Sequence, residues 1–460
     1  MQKNFSLLSN EINELLNLKQ ENQKLYLVGG VVRDFCIDRI NRDIDVLCDS
    51  DTRLIARHFA DTNRGVFFVM DVERNTSRVI ISIEGKKKIY DFARLKGNDL
   101  KEDLFDRDFT INAMAVDLDQ PDVIIDPTGG QQDLKNKVLR ECSASSFPSD
   151  PVRIIRAVRY SLGYDLEIES ATLEHLKSNI KQLDKVSGER KRDELFKILE
   201  SAKPEMGFIM LCDLGILEQM DFPPVVHYEQ IKKRMSLIYR LLTDLYTPLS
   251  TGEETTKPSP PVFKEETRKK LSDYLRKKNS SDRNEHQLIL LASILFKLDA
   301  LGVKKVAEKL FLSREEHDDL LMITTNQSLD SILNQKRMPS DREMYHYFRA
   351  TGETGIDLAI MTLVNSSISG DTVNDQFTRD CCLKIISFWF EKPEVANPVL
   401  LVNGNDLMVK FDLTPGPLIG EMIEKIREEQ AAGSIKNRSE ALAWVEAELA
   451  NRTIESPWSD

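Results

Sequence analysis

The sequence predicts an α+β domain at its N-terminal end and an all-helical chain behind it. Two observations carry this. Strand signals cluster before residue 135, at Leu25–Val28, Ile44–Leu47, Gly65–Met70, Arg78–Ile83, Lys88–Phe92 and Val123–Asp126, with one helical pattern, Thr52–Asp61, between the second and third. From Asp150 onward apolar residues recur at helical spacing, through Val158, Leu162, Leu173, Leu176, Ile180, Leu195, Ile198 and Leu199. A third observation ties the two halves together: the residues suited to chemistry sit at the strand ends of the first half and on the first long helix of the second.

The 460 residues, 41% hydrophobic and 30% charged, suffice for two to four domains with sizeable cores. A formal net charge of −12 excludes a protein that holds nucleic acid by bulk charge, so a polyanion must meet a local basic patch. The six cysteines show no CxxC or Cys/His ligand spacing, and the N-terminus lacks a signal-peptide pattern. No apolar run approaches the ~18 residues needed to span a bilayer. A reduced cytoplasmic protein without structural zinc is expected.

In chain order, residues 5–22 carry apolar positions at helical spacing. The run Leu25–Val28 then ends at Gly29-Gly30, before a short helix bearing Arg33 and Asp34. Glycines let backbone N–H groups approach an anion, and a helix N-terminus adds partial positive charge, so the turn can seat a phosphate; a plain turn fits the same residues. On the strand that follows, the period of two puts Asp43 and Asp45 on one face and Ile44 on the other. Paired carboxylates suit Mg²⁺, which is commonly completed by substrate phosphates, although a solvated strand edge also carries such a pattern. Taken together, the two features describe a nucleoside triphosphate site.

Further along, Asp103–Ala115 contains Arg107, Asp108 and Asn112. Arg107 can fork onto a triphosphate or a ribose, or pair with a neighbouring acid. Asp126-Pro127-Thr128-Gly129-Gly130, leading to Leu134, reads as a joint that ends a strand and permits hinge motion. The helix starting near Asp150-Pro151 carries Arg153, Arg156 and Arg159 as a slowly rotating stripe. Two readings remain open there. Asp150 is an N-cap ahead of a solvated basic face, or Asp150 and Arg153 read a base. Cytosine and adenine pair an amino donor with a ring-nitrogen acceptor, so a carboxylate with a guanidinium admits them and rejects uracil and guanine. Arg156 and Arg159 would then serve phosphates or RNA. Local balances of +2 (Asp150–Arg192) and +4 (Lys264–Lys278) are compatible with phosphate contact and with solvated helix faces. A Pro- and Thr-rich stretch from Tyr246 to Pro261 predicts a linker, and helices resume near Lys264.

The ordered set Leu-Val-Gly-Gly-x-Val-Arg-Asp, Asp-x-Asp, Arg-Asp-Phe-Thr-Ile-Asn-Ala-x-Ala, Asp-Pro-x-Gly-Gly-x-x-Asp-Leu, Asp-Pro-x-Arg-x-x-Arg-Ala-x-Arg and Glu-Arg-x-Arg-x-Glu-Leu resembles the class II tRNA nucleotidyltransferases and bacterial poly(A) polymerases. The resemblance is sharp from residue 25 to about residue 199 and continues more loosely through Val306–Ser313, Val402–Leu407 and Pro415–Gly420. It implies a polymerase-β-like nucleotidyltransferase head (1–140), then an all-α neck (141–245), body (262–390) and tail (391–460). It further implies a template-independent enzyme that adds C, alone or with A, to a tRNA 3′ end from CTP and ATP. A poly(A) polymerase is the alternative and an inactive RNA-binding adaptor a distant one. By resemblance, Asp43 and Asp45 bind Mg²⁺, with Asp91 a third catalytic carboxylate. Gly29, Gly30, Arg33, Arg107 and Asn112 belong to the triphosphate and ribose site, Asp150 and Arg153 read the base, and Arg156 and Arg159 complete the pocket. Three departures stand out: Ser149 where relatives often have Glu, Asp106 where many have Arg, and only nine residues between Arg94 and Leu104, a short connection that leans towards C addition alone. The segment Gln287–Leu298 lacks the His-Asp pair of a phosphohydrolase, and His317-Asp318-Asp319 reads as a solvated helix turn, so no phosphohydrolase activity is expected.

Overall fold

The computed structural model describes residues 10–454, apart from residues 20, 22, 40, 42, 84–85, 226, 247–262, 326 and 370–371. The predicted linker after Tyr246 and the first residues of the predicted 5–22 helix therefore lie outside the described residues. The chain forms two compact units, Met1–Met220 and Asp221–Asp460.

The first unit opens with helix α1 (Asn10–Leu18), then β1 (Leu25–Val28), α2 (Gly30–Cys36), β2 (Asp43–Cys48), α3 (Thr52–Thr62), β3 (Val66–Asp71), β4 (Thr76–Ile83) and β5 (Lys86–Arg94). After α4 (Leu100–Phe105) come β6 (Ala115–Asp117), β7 (Ile124–Ile125), α5 (Gly130–Asn136), β8 (Val138–Leu139), α6 (Ser146–Ser149) and α7 (Arg153–Tyr164). β9 (Glu167–Ile168), α8 (Ser170–Asn179) and α9 (Gly188–Leu199) follow. Seven strands make one sheet in the order β3-β4-β5-β2-β1-β6-β7, mixed because β2 pairs parallel with β5 while the other neighbours are antiparallel.

The alternation of the strands decides which face is filled. Val79, Tyr90, Phe92 and Val46 are buried, and Phe59 of α3 meets Tyr90 and Phe92 edge-on at 4.8 and 5.8 Å. On the other face α4 covers Leu47 and Ala93 through Leu100 and Leu104. Asp51 caps α3 by accepting from the Arg53 N–H. All six predicted strands occur; β6 was not among them, because Ala115–Asp117 is too short to show a period, and α4 was not predicted either.

One local expectation gains detail and one changes. The predicted joint does end a strand, β7, and leads into a capped helix start, with Asp126 Oδ1 accepting from the N–H groups of Gly129 and Gly130 at 2.9 and 2.8 Å and Oδ2 accepting from that of Gln131 at 2.9 Å. α7 begins at Arg153, two residues after Pro151, and the Asp150 side chain does not cap it; only the Asp150 carbonyl takes part, accepting from the Arg153 N–H.

Among its described residues the second unit is built of helices joined by loops, with no named strand, and has a core in its last segment built on Leu407, Met422, Ile426 and Val445. Asn403 and Asp406 form a capping box that starts helix Gly404–Phe411. Of the expected solvated turn, Asp318 alone is exposed; Asp319 is half-buried and accepts from Thr354 Oγ1 at 2.6 Å.

Candidate active site

β1 runs antiparallel to β2 with Val28 opposite Asp45, so the glycine turn leaving β1 arrives beside the carboxylates. Gly29 has φ +70, and a Cβ there would stand 3.1 Å from Arg107 Nη1 and 3.4 Å from Asp45 Oδ2. The turn needs glycine both for its conformation and for this close approach. The Gly29 N–H already donates to the Met114 carbonyl at 3.2 Å, so an anion would meet the first turn of α2 and not Gly29 itself.

Asp43 and Asp45 share a face of β2, as expected. Asp45 is in register with Asp91 on the neighbouring β5, which brings the third expected carboxylate alongside. Burial pushes the Asp45 carboxyl up to about 6; Arg107 opposes the shift, and the charges of Asp91 and Asp43 reinforce it. Asp91 is forked by Arg78 of β4, whose Nε and Nη2 each donate at 2.7 Å. Among the described residues no preformed group of three or more His, Cys, Asp or Glu side chains is arranged to hold a metal ion. The donor set still suits a hard divalent cation: two oxygen donors on one strand face, with an excess of negative charge and coordination left for substrate phosphates.

The remaining predicted residues converge from α2, the segment before β6, and α7, around a cleft of about 670 Å³. Arg33 is buried, donates from Nε to Asp34 at 2.8 Å, and gives an Nη1–H to Asn112. Its guanidinium lies 4.1 Å from the Tyr164 ring centroid, and the Tyr164 hydroxyl donates to Asp34 at 2.9 Å. Asn112 in turn donates to Asp108 at 3.0 Å, and Arg156 closes the chain by forking onto Asp108 at 2.9 and 2.6 Å. Burial resists ionisation of Asp108, but Arg156 and the Asn112 amide outweigh it and hold the carboxyl below the usual range. Arg107 satisfies both of its sequence readings: it pairs with Asp103 at 3.2 Å and it lines the cleft.

The stripe on α7 is more committed than its spacing suggested. Arg153 donates to the carbonyls of Asp106, Arg107 and Ser146 at 2.7, 3.3 and 3.2 Å. Arg156 is spent on Asp108, while Arg159 pairs with Glu194 of α9 at 2.7 Å and lies 4.4 Å from the Tyr160 ring. Asp150 is paired with Arg190 at 2.8 Å. All of the predicted nucleotide-site residues line one cleft together with Asp43 and Asp45; Asp91 does not line it and lies beyond Asp45 on β5. Sequence reasoning missed Tyr160 and Tyr164 as wall residues, Asp34 as the buried partner of Arg33 and Arg78 as the partner of Asp91. The two tyrosines, four apart behind the arginines on one helix, were the available signal; the Arg78–Asp91 pairing had none before the strand register was known.

Three family models match the chain: "Poly A polymerase head domain" over residues 25–140, "Probable RNA and SrmB- binding site of polymerase A" over 165–225, and "tRNA nucleotidyltransferase domain 2 putative" over 283–445. The CC-adding tRNA nucleotidyltransferase of Geobacter sulfurreducens is 27% identical, over 94% of this chain and 93% of its own. The A-adding tRNA nucleotidyltransferase of Deinococcus radiodurans is 28% identical, over 91% and 94%. The solved complex of a CCA-adding enzyme with ATP superposes with a TM-score of 0.65 at 25% identity, over 97% of both chains. With the motifs in one cleft and the likeness running nearly end to end, the chain belongs to the class II tRNA nucleotidyltransferase and bacterial poly(A) polymerase family.

Proposed function

We propose that the protein is a template-independent nucleotidyltransferase that adds C, alone or with A, to the 3′ end of tRNA from CTP and ATP. The observation that carries this is the single cleft joining Asp43 and Asp45 to Asp150 and Arg153, a metal-ready edge facing a base-reading pair. In this reading the head is residues 1–140, the neck 141–245, the body 262–390 and the tail 391–460.

Mg²⁺ held by Asp43 and Asp45 supplies Lewis-acid stabilisation of the phosphate oxygens. The chain's own residues do the placing. The α2 turn after Gly29-Gly30, with Arg33 and Arg107, holds the triphosphate so that its α-phosphate lies at the carboxylate edge. The RNA 3′-hydroxyl gives up its proton to solvent as it attacks that phosphorus in line, the bond from the α-phosphorus to the α,β-bridging oxygen breaks, and pyrophosphate leaves with that electron pair. In this reading Asp91, in register with Asp45 on β5, orients the attacking hydroxyl. Asp150 accepts from the exocyclic amino group of C or A and Arg153 donates to the neighbouring ring acceptor, once each exchanges its present partner.

The two relatives above divide between C and A addition, and the short Arg94–Leu104 connection favours C. The test supplies tRNA lacking its CCA end with labelled CTP or ATP separately. Incorporation of C is expected; long A tracts without C would instead establish a poly(A) polymerase. Asp150→Ala is expected to erase the preference for C and A over U and G, and an unchanged preference would remove Asp150 from base reading.

A further inference from the structure

We propose that the open sheet face extending from Asp45 and Asp91 across β4 and β3 docks the single-stranded 3′ end of the RNA, with Phe68 stacking on a base just behind the terminal nucleotide. The proposal rests on the nucleotidyltransferase reading.

Strand register builds this surface. Asp45 lies opposite Asp91, Asp91 opposite Arg78, and Arg78 opposite Phe68, one residue from each of four adjacent strands. A second row runs beside it, Asp43, Ile89, Ile80 and Val66, in the same strand order. Residues directly opposite one another in paired strands project to the same face. Both rows therefore begin at the metal-ready carboxylates and end in apolar side chains. The reverse face is filled by Phe59 of α3, and α4 covers Leu47 and Ala93. Neither covers the far end of the rows, where Val66 is 56% and Phe68 45% exposed.

Reaction geometry and chemistry select the occupant. The nucleotide cleft takes the α2 and α7 side of Asp43 and Asp45, so the attacking hydroxyl must come from the β5 and β4 side. Phe68 lies three strand spacings from Asp45, roughly 14 Å, a distance spanned by the nucleotides next to the terminus. An exposed aromatic ring with flanking aliphatic residues suits the π-faces of unpaired bases without selecting their sequence. Arg78 stands between the ring and Asp91 in the row, and the exposed Lys87 flanks the two rows on the same face of β5, two residues beyond Ile89, so backbone phosphates would pass beside cations. An apolar protein partner would have no use for those cations.

The experiment measures binding of a short single-stranded RNA oligonucleotide, and separately of CTP, to the full chain carrying Phe68→Ala or Phe68→Trp. Phe68 is close to half exposed, so both variants should keep the wild-type melting temperature. Loss of the ring is expected to weaken RNA binding roughly 5- to 150-fold, the range for one stacked base, with CTP affinity unchanged and the tryptophan variant near wild type. Unchanged RNA affinity in Phe68→Ala overturns the proposal. So does a variant whose only effect is on self-association in sedimentation, which would make β3 a contact between copies of the chain. A wild-type protein that extends no RNA would defeat the nucleotidyltransferase reading, while oligonucleotide binding still decides the role of Phe68.

Discussion

The two flanks of the Asp43/Asp45 pair are built on opposite principles. On the β1 side, Arg33, Asn112, Asp108 and Arg156 form one continuous, largely buried chain of charge-assisted hydrogen bonds that ties α2 to α7. On the β5 side, the polar chain stops at the part-buried Arg78–Asp91 fork and gives way to uncovered apolar residues. The first arrangement presets a geometry, as recognition of a small, highly charged triphosphate requires. The second leaves a surface that tolerates different bases, as a polymer end that lengthens by a nucleotide each cycle requires.

Changes that break the carboxylate edge shared by both flanks should have the largest effect. Asp45→Ala should lower nucleotide incorporation by on the order of 10³-fold or more, as expected for loss of a principal electrostatic stabiliser; full incorporation would remove Asp45 from metal binding. Breaking the networked flank comes next. Asp108→Ala leaves the Arg156 guanidinium without its carboxylate and should destabilise the first unit by about 3 kcal/mol, read as a lowered denaturant midpoint; a change under about 0.5 kcal/mol would show that the network does not stabilise the fold. Gly29→Ala forces a side chain into positive φ against Arg107 and should cost about 1–3 kcal/mol, together with weaker CTP binding. If CTP affinity and stability were both unaltered, the turn would not be constrained as described.

The smallest effect sharpens the comparison through pH. The folded-state carboxyl of Asp45 sits at about 6, above its ordinary value of 3.8. Between those values the folded state holds the extra proton, so without metal the Asp45 contribution to stability declines as pH rises through that window. Metal binding requires the ionised carboxylate, so Mn²⁺ affinity measured by titration should fall by about tenfold per pH unit below 6. A flat affinity from pH 5 to pH 7 would contradict the raised value.

Local pattern was enough wherever the governing interaction is local. The alternation in Asp43-Ile44-Asp45 fixes a shared face, and the Gly29-Gly30 break locates the turn. Spacing on α7 likewise showed that Arg153, Arg156 and Arg159 lie on one helix, but it could not assign their partners. Arg156 meets Asp108, forty-eight positions earlier, and Arg159 meets Glu194, thirty-five later. For the same reason the cap proposed for Asp150 gave way to an ion pair with Arg190.

The sequence by itself thus determined the fold class, the family and the residue types of the site, because periodicity, turn chemistry and motif order act over a few residues at a time. Strand register and helix docking decided which carboxylates stand together, which arginines are already spent, and which flank is left open. Asp45, Asp91, Arg78 and Phe68 are unrelated positions along the chain, and backbone hydrogen bonding between β2, β5, β4 and β3 alone sets them in a row.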